Sequence, residues 1–385
     1  MLRSASSMRV TRKNICFVTG TRAEFGLMRS VLQSIQKKSN LKLQIVATGM
    51  HLDPAHGRSV DQIRRDGWTV DRVVDWESDG SPWLTAKATG VAMASLSAAY
   101  QELHSDVVLV VGDRVEAFAA AAAAHVSGVA VAHIHGGDRA AGQIDDSLRH
   151  AITKLAHIHF PATRSSEERV LKLGEDAWRV HRSGSPGIDG ITVASAPKAA
   201  TRKIVNCPFA LILLHPVDTN PATEKRRART VLQAVQNSGI PRAVIVYPNN
   251  DPGAAGIIEA WRAVDTDRHV VFKDLARPTF LGLMRDACLL VGNSSSGIIE
   301  AASFGTPVID VGPRQAGREH GGNVAHVSYA ESDIRTALSR VWNSGNPKRF
   351  PSDNIYGGGH AGKTIAGILA KVRVNELLLR KLISY

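Results

Sequence analysis

Short apolar runs alternate with segments of helical periodicity along almost the whole chain. Unbroken runs of Val, Ile, Leu and Ala predict strands that are covered on both faces, as in a parallel sheet. In the first half the predicted strands are Ile15–Thr19, Leu43–Thr48, Asp71–Val74, Val107–Val111, Val129–Ile134 and His157–Pro161. The helices predicted between them are Glu24–Lys37, Pro54–Asp66, Ser81–Leu103, Val115–Ser127, Ser147–Lys154 and Ser165–Leu173.

The alternation stops at Gly190–Pro208, a polar stretch without a clear period that we interpret as a linker, and then resumes. The predicted strands of the second half are Ala210–Leu214, Ala243–Tyr247, Val270–Phe272, Cys288–Val291 and Val308–Val311. Its predicted helices are Ala222–Gln236, Ala254–Trp261, Pro278–Arg285, Ser295–Ser303 and Glu331–Trp342, followed by one long helix at Ala361–Leu382.

This order of elements predicts an α/β protein with two doubly wound, parallel-sheet, Rossmann-like domains that face a cleft. The predicted boundaries are 1–190 for the N-terminal domain, 191–208 for the linker and 209–360 for the C-terminal domain. Residues 361–385 are predicted to form a helix that packs back towards the N-terminal domain. Sheets of this kind bind ligands at the carboxyl ends of their strands, so we expect the chemistry there.

The composition narrows the class of protein. The 385 residues are 44% hydrophobic and 21% charged, with a formal net charge of +12. Because the Lys and Arg are scattered and not interleaved with aromatics, we expect an anionic small-molecule substrate and no nucleic acid. No apolar run is long enough to cross a membrane, and Met1–Lys13 lacks the apolar core of a secretory signal. The three cysteines form no Cys-x-x-Cys pair, which fits a cytoplasmic protein.

The most informative stretch is Val291–Gly312, in which a predicted strand ends at Gly-Asn and is followed by Ser294-Ser-Ser296. Hydroxyls and main-chain N–H groups at a strand-to-helix turn can close around an anion. Glu300 follows one turn later, where a carboxylate in an apolar segment needs a partner such as a sugar diol, and Arg314 follows the next strand. Together these features favour a diphosphate site, although serines alone can simply cap a helix.

The first strand-to-helix turn, Val18–Gly26, differs from the Gly-x-Gly-x-x-Gly fingerprint, so NAD is not expected. Arg22 lies in this turn, where a cation opposes the helix dipole. An anion contact would explain that position better than a surface role.

Acid–base candidates end two neighbouring strands. Asp113 and Arg114 follow Val107–Val111, where Arg114 would hold Asp113 ionised as a base, although Asp113 could also cap a helix. The next strand ends in His133 and His135, which are predicted to share one face. With Asp138 they could ligate a metal, or one histidine could do acid–base work while the other packs.

Further polar candidates lie before a predicted helix of the first half and after two predicted strands of the second half. Gln143–His150 contains Asp145 and Arg149, and we interpret it as the rim of a site or as a helix cap. His215 and Asn249 end two strands of the second half, where they could contact a phosphate, a sugar or a base.

In their order and spacing these motifs resemble the hydrolysing UDP-N-acetylglucosamine 2-epimerase family, in the branch that begins sialic acid and related nonulosonate synthesis. Each motif by itself is weak evidence for the family. The match runs over nearly the whole chain, and in this order and spacing the motifs are highly specific. The motifs are Thr19–Glu24, Gly112–Arg114, His133–Asp138, Ile144–Lys154, His215–Pro216, Gly292–Gly297, Phe304–Ile309 and Arg314–Arg318.

The resemblance implies a glycosyltransferase-B-like fold, a UDP-sugar substrate, no NAD, no other cofactor and no metal. It implies that UDP is eliminated across sugar C1–C2 to give a glycal, to which water then adds. Carried over by motif, Asp113 is the leading acid–base residue and Asp145 the second, and His215 is a further catalytic candidate. The residues implied to bind the UDP-sugar are Arg22, Arg114, His215, Asn249, Ser294, Ser295, Glu300 and Arg314, with Glu300 at the ribose. A homodimer or homotetramer is expected.

One residue departs from the family pattern, because many relatives have Glu at the position of His135. A neutral imidazole can also act as an acid–base group near pH 7, so His135 stays a catalytic candidate. Three alternatives remain open. They are the same reaction on UDP-2,4-diacetamido-2,4,6-trideoxy-glucose, a UDP-dependent glycosyltransferase, and a metal-dependent hydrolase.

Overall fold

The computed structural model describes residues 12–53, 58–76, 82–139, 144–248, 251–343 and 347–384. The chain divides into two compact units. The first unit comprises the residues up to Asp189 together with those from Gly359 onwards, and the second unit is Gly190–Gly358. Among the described helices, none combines the length and the apolarity needed to cross a bilayer.

The first unit contains a six-stranded parallel sheet in the order β3-β2-β1-β4-β5-β6. Its strands are β1 (Lys13–Thr19), β2 (Leu41–Ala47), β3 (Arg72–Val73), β4 (Val107–Val111), β5 (Ala130–Ile134) and β6 (Ile158–Phe160). The α-helices between and directly after these strands are α1 (Arg22–Gln36), α2 (Ser59–Arg65), α3 (Pro82–Leu103), α4 (Val115–Val126), α5 (Asp145–Leu155) and α6 (Arg164–Lys172). Separate apolar clusters cover the two faces of the sheet, which explains why the strands have no polar side.

The second unit repeats this topology with the order β12-β11-β10-β7-β8-β9. Its strands are β7 (Phe209–Leu213), β8 (Arg242–Val246), β9 (Val270–Phe272), β10 (Leu289–Gly292), β11 (Val308–Val311) and β12 (Val324–Val327). Its helices are α7 (Ile191–Ala194), α8 (Lys198–Ile204), α9 (Pro221–Asn237), α10 (Ala254–Arg262), α11 (Arg277–Asp286), α12 (Ser295–Ile299) and α13 (Glu331–Trp342). The predicted fold class of two Rossmann-like parallel sheets is confirmed.

In the second unit two expectations about individual segments are corrected, and one strand was missed. The predicted linker contains α7 and α8 and folds as part of the second unit, where Ala196 N–H donates to the Pro278 carbonyl at 2.8 Å. The predicted helix Ser295–Ser303 is only the five-residue α12 followed by a 3₁₀ turn at Ala301–Phe304. Strand β12 was not predicted, because its Val-Ala-His-Val sequence is short and half exposed and so carries little apolar signal.

The C-terminal segment folds on the first unit as two helices, α14 (Ala361–Lys371) and α15 (Glu376–Leu379), where one long helix was predicted. The apolar face of α14 joins the core that α1 covers, and Asp189 accepts the N–H groups of Ala361 and Gly362 at 2.8 and 2.7 Å. These bonds satisfy main-chain N–H groups at the start of α14 that have no partner within the helix.

Charged side chains also hold α15 and the residues that follow it. Buried Arg179 donates to the carbonyls of Leu377, Leu378 and Arg380, at distances of 2.7–3.1 Å. Lys381 donates to carbonyls at the end of α5 and pairs with buried Glu175 at 2.7 Å. The tail is therefore tied to the helix that carries Asp145.

Candidate active site

Both sheets reverse their strand order at one point, between β1 and β4 in the first unit and between β7 and β10 in the second. In doubly wound sheets the loops at the carboxyl ends of these strands diverge and leave room for a ligand. Arg22 and Asp113 follow β1 and β4, whereas His215 and Ser294 follow β7 and β10. Each unit thus has one candidate site at its own switch point.

Asp113 lies after β4 with a side chain that is 22% exposed. Its carboxylate accepts a hydrogen bond from Nη2 of Arg149, a buried residue of α5. Nη1 of Arg149 donates to the main-chain oxygen of His135 at 2.8 Å. The same guanidinium therefore positions Asp113 and the end of β5. The cation hydrogen-bonded to Asp113 is therefore Arg149 rather than the neighbouring Arg114, although the charge of Arg114 also interacts with Asp113.

Arg114 instead pairs with Glu116, with Nη2 2.9 Å from Oε1 and Nε 3.2 Å from Oε2. Glu116 is buried against Gly20 and Gly49, where a Cβ would lie within 3.0 Å of the Glu116 side chain. Arg114 thus fixes the position of the Glu116 side chain, which packs against the turns after β1 and β2. Its own side chain is 43% exposed, so it can still meet a ligand.

Asp145 begins α5, four residues before Arg149, so the two side chains share one face of the helix. Burial raises the pKa of Asp145, and the negative charge of Asp113 raises it further. Asp146 lies on a different face and approaches His150 at 3.3 Å. The geometry therefore places two carboxylates, Asp113 and Asp145, close enough for their charges to interact, and two such groups can serve acid–base chemistry.

His133 is completely buried, with Nε2 2.8 Å from the Gly112 carbonyl and Nδ1 3.2 Å from the Thr153 hydroxyl. Burial lowers its pKa to about 3, so the ring is neutral. A carbonyl only accepts, so Nε2 carries the proton. His133 thus supports the loop of Asp113.

His135 does not share the face of His133 as predicted, because β5 ends at Ile134 and His135 adopts a left-handed φ of 64°. Its Nδ1 lies 2.7 Å from Asp138 Oδ2 and its Nε2 3.0 Å from the Ser185 hydroxyl. Burial would raise the pKa of Asp138, but His135, Arg149 and the Ser166 hydroxyl outweigh it and hold it at about 2. His135 therefore lies in a hydrogen-bonded chain from Asp138 to Ser185, and both ring nitrogens are engaged.

Neither histidine has a free nitrogen directed at a shared point. Across the described residues no group of three or more His, Cys, Asp and Glu side chains is arranged to hold a metal ion. The arrangement of His133, His135 and Asp138 is thus that of a hydrogen-bonded support, and it does not fit the metal-ligating alternative.

Arg22 is the first residue of α1, which begins with a capping box formed by Thr21 and Glu24. Glu24 Oε2 accepts the N–H groups of Gly20 and Thr21 at 2.7 and 3.0 Å. Burial outweighs these bonds and raises the pKa of Glu24 to about 7. Arg22 itself is exposed at this turn, so its cation can contact an anion.

In the second unit a pocket of about 280 Å³ lies at the switch point. It brings together four of the predicted residues, namely His215, Ser294, Ser295 and Arg314. It is also lined by Leu213, Val246, Tyr247, Phe280 and Ser296. Tyr247 and Phe280 were not predicted, because isolated aromatics in a strand end and a helix are usually core residues. Asn249 lies outside the described residues.

The loops after β7 and β10 are joined by Asn293, which is fully buried. Its Oδ1 accepts the N–H of His215 at 2.7 Å, and its Nδ2 donates to the His215 carbonyl at 2.8 Å. The preceding Gly292 is required, since a Cβ there would lie 2.0 Å from the Leu213 carbonyl oxygen. Burial lowers the pKa of His215 to about 4, and Arg314 contributes, so the ring is neutral.

Ser294 caps α12, and Arg314 donates through Nη1 to the Asn293 carbonyl at 3.1 Å. Since α12 has only five residues, its dipole is weak. Among the residues that line the pocket, Arg314 therefore supplies the positive charge. Serine hydroxyls, a neutral imidazole and a guanidinium form a donor set that suits a diphosphate.

Glu300 follows α12 and is mostly buried, with its side chain 12% exposed. Burial raises its pKa, while Arg277 and the Ser296 hydroxyl act in the opposite direction. Arg277, at the start of α11, was not predicted as a site residue, because its contact with Glu300 spans 23 residues. In the sequence, the only indication of a role for Arg149 and Asn293 is that they lie inside the motifs Ile144–Lys154 and Gly292–Gly297.

A family model described as UDP-N-acetylglucosamine 2-epimerase matches residues 33–370 of this chain. The chain is 34% identical over 383 residues to the UDP-N,N'-diacetylbacillosamine 2-epimerase (hydrolyzing) of Legionella pneumophila, covering 97% of this chain and 100% of the relative. It is 32% identical over 351 residues to the UDP-N-acetylglucosamine 2-epimerase of Neisseria meningitidis serogroup B, covering 90% of this chain and 91% of the relative.

Solved structures share the fold. The UDP-GlcNAc 2-epimerase of Neisseria meningitidis bound to UDP-GlcNAc superposes with a TM-score of 0.78 at 21% identity, covering 93% of this chain and all of that one. The S. aureus MnaA–UDP co-structure gives a TM-score of 0.74 at 18% identity, covering 93% of this chain and 96% of that one. The two Rossmann-like sheets are therefore those of the glycosyltransferase-B-like architecture.

Proposed function

Because the chain belongs to the UDP-N-acetylglucosamine 2-epimerase family, we propose that it is an enzyme of the hydrolysing type. It converts UDP-N-acetylglucosamine and water to N-acetylmannosamine and UDP, and its product enters the synthesis of sialic acid-type sugars. The observation that carries this proposal is the pair of interacting carboxylates at one switch point, Asp113 beside Arg149 and Asp145 on the helix of Arg149.

In the proposed first step Asp113 removes the proton from sugar C2. Its hydrogen bond with Arg149 fixes the position of the carboxylate that would accept this proton. The electrons of the C2–H bond form a C1=C2 double bond while the C1–O bond breaks, and UDP leaves with the bonding pair. The remaining sugar is a glycal.

In the second step water adds across the double bond. Its oxygen bonds to C1, and a proton is added to C2 on the face opposite to the one from which the first proton left. Asp145 is proposed as the acid, because it shares a helix with Arg149 and interacts with Asp113, and burial and the charge of Asp113 raise its pKa. His135 is the other candidate, acting through its hydrogen-bonded chain with Asp138 and Ser185.

The second unit is proposed to bind the UDP part. Arg314, His215 and the hydroxyls of Ser294 and Ser295 would hold the diphosphate, and Glu300 the ribose. The solved relatives named as bound to UDP-GlcNAc or to UDP support this ligand class. Three further polar residues, Arg22, Arg114 and Asn249, are proposed as substrate contacts.

The same reaction on UDP-2,4-diacetamido-2,4,6-trideoxy-glucose is the second candidate. The whole-length relative from Legionella pneumophila is named for UDP-N,N'-diacetylbacillosamine, and so is a 29% identical relative from Campylobacter jejuni, which is also named for the GDP-linked sugar. Side-by-side incubation with both UDP-sugars, followed by NMR, would give the ratio of their kcat/KM values. A ratio in favour of the trideoxy sugar assigns the enzyme to the legionaminic acid route.

Isotope labelling tests the chemistry itself. In D₂O the released mannosamine-type sugar should carry deuterium at C2, because the original proton leaves and a solvent proton returns. In ¹⁸O-water the label should enter the sugar and not UDP, because the C–O bond breaks. A glycosyltransferase would leave the C2 proton in place, and attack at phosphorus would label the nucleotide. Protium retained at C2 would rule out this mechanism.

A further inference from the structure

Arg277 and Glu300 form an ion pair with an unusual geometry. A single nitrogen, Nη1 of Arg277, lies 2.9 Å from Oε2 and 3.2 Å from Oε1 of Glu300. The Glu300 side chain is 12% exposed, while that of Arg277 is 49% exposed. The guanidinium therefore covers a buried carboxylate from the solvent side and contacts both of its oxygens.

The pair lies beside the pocket of the second unit. Ser296 lines this pocket and also hydrogen-bonds the Glu300 side chain. Phe280 lines the same pocket from α11, the helix that begins at Arg277. The first turn of α11 thus supplies both an apolar wall of the pocket and the partner of the carboxylate.

The carboxylate keeps capacity for a ligand in this arrangement. An ionised carboxylate offers about four lone-pair sites, and neither the bridging nitrogen nor Ser296 uses all of them. A protonated carboxyl group would lose acceptor capacity and gain a donor. Burial raises the pKa of Glu300, and the Arg277 cation is the main opposing influence. The Arg277 cation therefore opposes the effect of burial, and its contact with both oxygens holds the carboxylate in place for a ribose hydroxyl.

We propose that Arg277 is the positioning residue of a ribose-recognising carboxylate, which makes the second unit select nucleoside diphosphates with ribose hydroxyls. The inference rests on the proposed function, since it takes the pocket to bind UDP. Arg277 itself need not touch the nucleotide. Its effect is to orient the Glu300 carboxylate, through contacts with both oxygens, so that a hydroxyl of the ribose donates to it.

Calorimetry with two nucleotides on the full-length protein tests this inference. The probes are UDP and 2',3'-dideoxyuridine 5'-diphosphate, which has the same base and diphosphate without the ribose hydroxyls. Since hydrogen bonds to a charged group are worth a factor of about 10 or more, the wild type should bind UDP at least about 10-fold more tightly. Arg277→Gln should bring this ratio close to one by weakening UDP alone.

The matched control is Arg285→Gln, which removes another arginine of α11 that pairs with Asp286 and contacts Ser195. This variant should keep the wild-type ratio. If Arg277→Gln does not fold, Arg277→Lys replaces it, because an ammonium cannot reproduce the planar guanidinium contact and should lower the ratio in part.

Either of two results with Arg277→Gln would overturn the inference. Equal weakening of both nucleotides in Arg277→Gln would mean that Arg277 acts on the diphosphate or on the fold. An unchanged ratio in that variant would mean that Glu300 does not need it. If the wild type binds both nucleotides equally, the ribose role of Glu300 fails while UDP binding stands. If it binds neither, the proposed function of the unit fails with it.

Discussion

Replacing Asp113 by asparagine separates catalysis from binding most sharply. Asparagine keeps the shape of the side chain but is not a base at neutral pH, so the C2 proton loses its acceptor. A positioned acid–base group contributes roughly 100- to 10,000-fold, so Asp113→Asn should lower kcat by a factor in this range. This factor corresponds to a barrier higher by about 3–5 kcal/mol.

The structure also sets the expected effect on stability. The side chains of Asp113 and Arg149 are 22% and 8% exposed, so the pair is mostly shielded from water. The amide oxygen can still accept from Arg149, but the compensating charge is gone. We therefore expect the free energy of unfolding to fall by about 1–3 kcal/mol, the range for an incompletely satisfied buried polar group.

The assay measures UDP release from UDP-N-acetylglucosamine, with UDP affinity by calorimetry and the melting temperature on the same preparation. The expected pattern is a large loss of kcat with nearly unchanged UDP affinity. Asp146→Asn is the matched control, because Asp146 adjoins Asp145 on α5 but pairs with His150 and is 45% exposed. Turnover of Asp113→Asn close to that of the wild type would refute the assignment, and so would an equal loss in Asp146→Asn.

Three further predictions follow from charges in the structure. Arg314→Ala should weaken UDP binding by about 1.5–3 kcal/mol through loss of a charge-assisted phosphate contact, and unchanged affinity by calorimetry would remove Arg314 from the site. Lys381→Met should lower the free energy of unfolding by about 1–3 kcal/mol, because buried Glu175 and three carbonyls at the end of α5 lose a donor; an unaltered urea midpoint would contradict this. Five histidines have pKa values that burial lowers to about 3 or 4, namely His51, His133, His157, His159 and His215. The unfolded chain binds protons on these rings below pH 6.5 while the folded chain does not, so stability should fall between pH 6.5 and 4. Each ring lowers the free energy of unfolding by up to about 1.4 kcal/mol per pH unit in this range. Glu24, whose pKa burial raises, acts in the opposite direction. A urea midpoint that does not fall on acidification would refute the prediction.

The sequence alone predicted the order of nearly all strands and helices, and thereby the two parallel sheets. This succeeded because a strand buried on both faces, such as Val107–Val111, must be apolar throughout, and that property is local. It failed where the signal is weak, as at the half-exposed β12. It also failed at the supposed linker, where α7 and α8 are held by contacts with α11 that no local pattern records.

For the candidate site, the sequence determined which residues stand at the carboxyl ends of the strands, because chain order and sheet topology together dictate this position. Tertiary structure alone decided which of them pair. The guanidinium at Asp113 comes from Arg149, 36 residues away, and not from its neighbour Arg114. Likewise, Arg277 meets Glu300 across 23 residues. Side-chain periodicity is set by neighbours along the chain, whereas ion pairs and pKa values depend on burial and on charges brought close by folding.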